Sequence, residues 1–295
     1  MKHILITGAT GNIGHEVIRW LYENNTANEI TAGVRNIDKA KNEFKDYSQL
    51  KYVKFDFEDF TTFDDSLTNI DCVFLLRPPH ISDVEKYFRP LIAAIKKHHI
   101  HEIVFLSVQG AEKSTIIPHN KIERLIVEFG LKYIFLRPSY FMQNLTATLQ
   151  KDIQEKQRII LPAGKAKFNW IDIENIGEIT AHLLTDFDTY KNRAIELTGY
   201  ENIDFYEVSD LISNTIHRQV KFDNANPFRF YWVKKMEGLN TGMIIVMALL
   251  HFLPRFQPAP KISDFYEQLT GKKPTTLRDF IIREGSKLTP LALKS

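Results

Sequence analysis

Ile4-Leu5-Ile6-Thr7-Gly8-Ala9-Thr10-Gly11-Asn12-Ile13-Gly14 is the stretch whose reading decides the fold. Its glycines stand three apart, after a short apolar run over residues 3–7 and before a stretch, residues 14–24, that carries Val17, Ile18 and Leu21 at helical spacing. A strand that turns straight into a helix needs one residue free of Cβ for the tight turn. It needs a second where backbone amides approach a ligand phosphate, and a third where helix and strand pack closely. Gly8, Gly11 and Gly14 supply them in that order, with Thr10, Asn12 and Ile13 completing the loop. The positive end of the following helix then points at the phosphates. Three glycines alone make only a tight turn, but strand, loop and helix in this order predict a dinucleotide site.

Working outward, short apolar runs bounded by turn residues alternate with longer amphipathic stretches, the pattern of βα units on a parallel sheet. Strands are predicted over residues 3–7, 29–34, 51–55, 72–76, 103–107 and 132–136, and a further helix over 84–98 with Tyr87, Leu91, Ala94 and Ile95 at helical spacing. After Arg137-Pro138 the rhythm changes: residues 139–157 read as a loop into a helix and 158–164 as a turn-rich connection. Residues 169–173 and 194–198 are expected to be strands returning to the sheet, flanking a helix over 175–185. The fold class is therefore α/β, a Rossmann-type doubly wound parallel sheet with a smaller C-terminal α+β lobe. Residues 1–145 form the dinucleotide-binding domain, with 168–200 returning to it, and residues 146–167 and 201–295 form the substrate-side lobe. The aromatic-rich region 227–256, punctuated by prolines, is expected to shape the substrate pocket.

The end of the second strand selects the cofactor. A carboxylate there would bind the ribose 2′-hydroxyl of NAD, whereas Gly33-Val34-Arg35-Asn36 presents a guanidinium, with Lys39 one helical turn on. Arg35 and Lys39 suit the 2′-phosphate of NADP(H), although an arginine in this place can also be a solvated surface residue. Phe55-Asp56-Phe57 follows the third strand; Asp56 can accept from the adenine amino group or simply form a turn. The backbone of Leu76 and Arg77, at the end of the fourth strand, is expected near the ribose.

Composition removes several function classes. With 38 Lys and Arg against 36 Asp and Glu, the formal charge is +2, too small an excess for a general phosphate-backbone binder, so nucleic acid is not expected as a partner. One cysteine, Cys72, excludes an internal disulfide and multi-cysteine metal motifs; its apolar setting reads as a buried strand. No metal site is expected. The chain opens on Met1-Lys2-His3-Ile4-Leu5-Ile6 and reaches the glycine turn at once, leaving no apolar leader, so a cytoplasmic protein is expected. Its most apolar run, residues 243–253, is broken by His251 and shorter than the roughly 20 residues that span a bilayer. It is read as a buried helix or an apolar lid, with no membrane association.

These segments resemble the NmrA-like group of atypical short-chain dehydrogenases/reductases, which includes NADPH-dependent quinone and triphenylmethane reductases and redox-sensing regulators. The resemblance rests on residues 7–14, Val34-Arg35-Asn36, Asp56, Phe105-Leu106-Ser107 and, most specifically, Leu136-Arg137-Pro138-Ser139-Tyr140-Phe141-Met142-Gln143-Asn144-Leu145. Leu269-Thr270-Gly271-Lys272-Lys273-Pro274-Thr275-Thr276-Leu277 resembles the family's closing segment. It implies NADP(H) on the Rossmann-type domain, a smaller lobe, and a substrate cleft between the two. The Tyr/Lys acid pair of the orthodox superfamily is missing: His119 falls where the Lys would stand and Thr115 where the Tyr would. The resemblance implies that His119 hydrogen-bonds the nicotinamide ribose and that Pro138 lies on the cofactor side. Ser107 and Gln109 are expected nearest the nicotinamide and substrate, and Tyr140, Phe141 and Asn144 beside the substrate. The expected activity is hydride transfer from NADPH to a quinone-like or other flat, electron-poor small molecule. The alternative is a non-catalytic NADP(H) sensor acting through a protein partner; a homo-oligomer is left open.

Overall fold

In the computed structural model, which describes residues 1–24 and 27–289, the chain divides into two compact units, each discontinuous. The first contains Met1–Pro138 and Ile173–Leu197, and the second Ser139–Asp172 and Thr198–Ser295, of which residues 290–295 lie outside the described residues.

Elements are numbered along the chain. The first unit runs β1 (His3–Thr7), α1 (Asn12–Glu23), β2 (Glu29–Val34), α2 (Ile37–Glu43), β3 (Lys51–Lys54), α3 (Phe63–Leu67), β4 (Cys72–Leu76), α4 (Val84–Lys97), β5 (Glu102–Leu106), α5 (Pro118–Glu128) and β6 (Lys132–Pro138). It resumes with α7 (Ile173–Thr185), α8 (Phe187–Tyr190) and β10 (Arg193–Leu197). Seven parallel strands stand in the order β10-β6-β5-β4-β1-β2-β3. Both faces of such a sheet are covered by helices, so its central strands read as unbroken apolar runs. Ile4, Leu5 and Ile6 of β1 and Val73, Phe74 and Leu75 of β4 are fully buried, as is Cys72. Strand order reverses between β1 and β4, the place where open α/β sheets form a ligand crevice at their carboxyl ends. The helix α1 exists because Ile13, Gly14, Val17, Ile18 and Leu21 bury one stripe of it.

The second unit contains β7 (Tyr140–Phe141), α6 (Gln150–Lys156), β8 (Arg158–Leu161), β9 (Phe168–Ile171), β11 (Asn202–Ile203), α9 (Phe205–Ile216), β12 (Lys221–Asn224), α10 (Pro227–Met236), α11 (Thr241–Phe252), α12 (Phe265–Thr270) and α13 (Leu277–Leu288). Its core gathers Trp170, Phe205, Phe230 and Phe280. Three sequence expectations change here. Strand β9 does not return to the seven-stranded sheet but lies between β11 and β7, with all four of its residues buried. The expected turn-rich connection opens instead as β8, paired in parallel with β12 some 60 residues on, a pairing no local pattern announces. Residues 243–253 are also not a buried helix: of α11 only Ile244, Met247 and His251 are buried, the one stripe that meets the core. Among the described residues, no helix is long and apolar enough to cross a membrane.

Candidate dinucleotide site

The three glycines have separable roles. Gly8 has φ +62°, the left-handed region, and a Cβ there would also press on the Leu76 side chain at 3.3 Å. The Gly11 amide closes the turn onto the Gly8 carbonyl at 2.9 Å. At Gly14 a Cβ would lie 2.3 Å from the Gly8 carbonyl oxygen, so the first turn of α1 rests directly on the end of β1. Thr7 ties β1 to β4: its hydroxyl donates to the Phe74 carbonyl at 2.9 Å and accepts from the Leu76 amide at 3.0 Å. The helix α1 starts from an extended Gly11 with no side-chain cap and no acidic residue in its first turn. Its leading amides therefore face outward beside the exposed Thr10, Gly11 and Asn12, with Ile13 buried beneath.

Arg35 directly follows β2, and both it and Lys39 are exposed; among the described residues neither side chain has an ion-pair partner. The Asn36 side chain caps α2 by accepting from the Lys39 amide at 2.9 Å, fixing where Lys39 leaves the helix. The adjacent strand end is held by the Phe55 amide on the Val34 carbonyl. Asp56 forms a turn, its Oδ1 accepting from the Glu58 amide at 3.0 Å, and Phe57 is buried with its ring edge-on to Phe55. Any Phe57 contact with a cofactor would thus come from its backbone.

Arg77 turns back under its own loop. Its Nη1 donates to the carbonyls of Pro78, Pro79 and Ile81, and its Nε donates to His119 Nε2 at 3.3 Å. The His119 ring also stacks on Phe105. Burial, with the Arg77 charge beside it, pushes the His119 imidazole down to about 3. With Nε2 accepting, the proton must lie on Nδ1, so His119 is a neutral Nδ1–H donor at ordinary pH. The sequence singled out both residues but not their pairing across 42 positions, for which it carries no signal.

Ser107 is buried, and its hydroxyl donates to Glu123 Oε1 at 2.6 Å. Glu123 also receives the Arg137 guanidinium through both carboxylate oxygens, at 3.0 and 2.7 Å, and Arg137 reaches on to Glu112. The Gln109 amide bonds the Pro138 carbonyl, while its side chain bonds Glu196, whose carboxyl is raised chiefly by burial. These contacts bind β5, α5, β6 and β10 at one end of the sheet; Glu123, Arg137 and Glu196 were not among the expected site residues.

In the second unit the Tyr140 ring packs among Phe168, Trp170 and His251. Its hydroxyl meets His251 Nε2 at 3.0 Å, and His251 Nδ1 lies 2.7 Å from the Met247 carbonyl. That carbonyl can only accept, so Nδ1 carries the proton and the Tyr140 hydroxyl donates to Nε2. Burial lowers His251 to about 4 and raises Tyr140. Phe141 and Asn144 are half-buried, and the Asn144 side chain also bonds Tyr140. Among the described residues no group of three or more His, Cys, Asp or Glu side chains is gathered to hold a metal.

Parallel strand order, a glycine turn at the switch point and a following helix with no side-chain cap define a Rossmann-type dinucleotide-binding fold. A family model described as the NmrA-like family matches residues 1–253, and the chain belongs to that family. The prestalk A differentiation protein A of Dictyostelium discoideum is 31% identical to it, over 94% of this chain and 90% of the relative. An NAD(P)H azoreductase of Xenophilus azovorans is 28% identical over 94% of this chain and 96% of its own. Among solved structures, the NADPH-dependent quinone oxidoreductase of Escherichia coli complexed with NADPH superposes with a TM-score of 0.84 at 23% identity. That match covers 95% of this chain and 99% of the other, a likeness of fold.

Proposed function

We propose that this protein is an NADPH-dependent reductase that passes hydride to a quinone-like or other flat, electron-poor small molecule. The observation that carries the reading is the pair of cations, Arg35 just after β2 and Lys39 in α2, without an ion-pair partner among the described residues, together with an uncapped α1 with no acid in its first turn. A dinucleotide pyrophosphate suits the amides of Thr10 to Ile13 and the α1 terminus, and a 2′-phosphate suits Arg35 and Lys39. A ribose 2′-hydroxyl would find no carboxylate at Arg35. Asp56 Oδ2 is left to accept from the adenine amino group, and the backbone of Phe57, Leu76, Arg77 and Pro138 borders the remaining length.

Bound NADPH supplies the hydride. On the protein's side, His119 presents Nδ1–H to a ribose hydroxyl and stays neutral, held by Arg77. A neutral imidazole with this depressed basicity is no proton donor near pH 7. The acceptor must therefore tolerate hydride without an enzyme acid: a quinone becomes a stabilised hydroquinone anion that takes its proton from water, whereas an aliphatic ketone would leave a poor alkoxide. The Ser107 hydroxyl is committed to Glu123, so Ser107 and Gln109 are assigned to fixing the ends of β5 and β6. Phe141 and Asn144 are proposed as acceptor contacts, with Tyr140 as the ring that supports them.

The reading is supported by relatives named as an NAD(P)H azoreductase and an NADPH-dependent quinone oxidoreductase, both acting on flat conjugated acceptors by their names. Purified protein mixed with NADPH and a panel of quinones and azo dyes should consume the nicotinamide absorbance with at least one acceptor. Tight NADPH binding with no turnover on any acceptor would overturn the reductase and leave the NADP(H) sensor.

A further inference from the structure

The helices α10 and α11 pack against each other, and each also turns an apolar stripe to solvent. On α10 the stripe is Phe228, Trp232 and Met236, one turn apart, with Trp232 59% and Met236 87% exposed. On α11 it is Met243, Ile245, Val246, Leu249 and Leu250, continued by Leu253, with Val246 64% and Leu250 51% exposed. No charged residue lies between Thr241 and Phe252, and the side opposite, with Ile244, Met247 and His251, is the one that faces the core. Contiguous apolar exposure of this kind marks an interaction surface rather than ordinary scatter.

The charges on these helices identify the partner. Residues 227–256 contain four cations, Arg229, Lys234, Lys235 and Arg255, and one acid, Glu237. Glu237 is half-buried and tied to Lys156 and Lys234, and Lys234 is itself buried. Arg229 is neutralised by Asp223. The exposed cations left over are Lys235 and Arg255, one at each end of the α11 stripe: the Lys235 ammonium reaches Thr241 at the start of α11, and Arg255 follows its end, stacked over Phe252. No exposed carboxylate lies on either helix. A two-fold contact made by these helices alone would bring Lys235 and Arg255 from both copies together with no exposed acid from either helix. An anionic lipid surface accepts both features at once, headgroup phosphates at the two ends and acyl chains between them, with Trp232 and Phe256 at the interface. Twelve residues of helix, about 18 Å long, are too few to span a bilayer but enough to lie in its interface.

We propose that α10 and α11 form a docking face for anionic membrane surfaces. This contact is peripheral and departs from the absence of membrane association expected from the sequence. It is independent of the hydride chemistry assigned to the first unit.

Flotation of the full chain with liposomes tests the proposal. The protein should float with vesicles of phosphatidylcholine and phosphatidylglycerol and stay down with phosphatidylcholine alone, and its tryptophan emission should shift to the blue, a shift that Trp232→Phe removes. The double variant Leu249→Glu/Leu250→Glu, whose side chains are exposed, should keep the native circular dichroism and melting profile and lose flotation. Lys235→Gln/Arg255→Gln should weaken partitioning about tenfold or more, which keeps the test open should the first pair misfold. No flotation of the unmodified chain, or flotation unchanged by both double variants, would overturn the proposal. A dimer in analytical ultracentrifugation that Leu249→Glu/Leu250→Glu dissociates, with no vesicle binding, would assign the face to a second copy instead.

Discussion

At the scale of single residues, the proposed chemistry of the first unit turns on His119 and Arg77. The Arg77 guanidinium is fixed by three loop carbonyls through Nη1, and its Nε–H is spent on His119. Burial is the larger cause of the low His119 basicity and the Arg77 charge the smaller. Arg77→Leu should therefore let the imidazole rise above about 3 while leaving it below the ordinary value near 6.5. An NMR titration of the ring protons reads this directly; an unchanged midpoint would mean that Arg77 contributes nothing to it. Gly8 and Gly14 were legible because their demands are local: a left-handed turn at the first and a helix-on-strand packing contact at the second, at fixed spacing. The packing demand is severe at Gly14, where the atom a Cβ would meet is backbone and cannot swing aside. Ser107 was legible as a residue but not in its role, since its partner Glu123 lies on the next helix and looks in the sequence like any solvent-facing acid.

At the scale of elements, the strands of the first unit were readable because a doubly covered sheet demands unbroken apolar runs. Observed and expected ends there differ by one or two residues. In the second unit β8 and β12 are four residues each and find each other across about 60 positions, so no periodicity marks them. The helix α11 was legible as apolar but not in its exposure, because both its faces are apolar and only Ile244, Met247 and His251 reach the core. His251 pins that buried stripe to Tyr140, and this has a consequence in acid. Its folded value, about 4, is below the unfolded value near 6.5, so the unfolded chain takes up the proton first as pH falls. The stability is full above about pH 6.5 and is lost progressively toward pH 4. His251→Phe should cost about 1–3 kcal/mol at pH 7, by removing the buried acceptor of the Tyr140 hydroxyl. Its melting temperature should also fall less steeply than that of the unmodified chain between pH 6.5 and 4.5. Parallel melting curves across that range would refute the role given to His251.

At the scale of the whole chain, both units are assembled from separated stretches, and the crossings come at Pro138, Asp172 and Leu197. The sequence marked the first crossing with Arg137-Pro138 and the change of rhythm after it, yet placed the return strand too early, since β9 is as apolar as a sheet strand and differs only in its partners. The central proposal is that the first unit recognises a phosphorylated dinucleotide through the β1 turn and the β2 end together. The most direct measurement is the dissociation constant for NADPH and for NADH, by isothermal titration calorimetry, in the unmodified protein and in Arg35→Ala. NADPH should bind clearly more tightly than NADH, a preference that Arg35→Ala reduces by about tenfold or more while leaving NADH binding nearly unchanged. Equal affinity for the two cofactors, or an equal loss of both in Arg35→Ala, would contradict it.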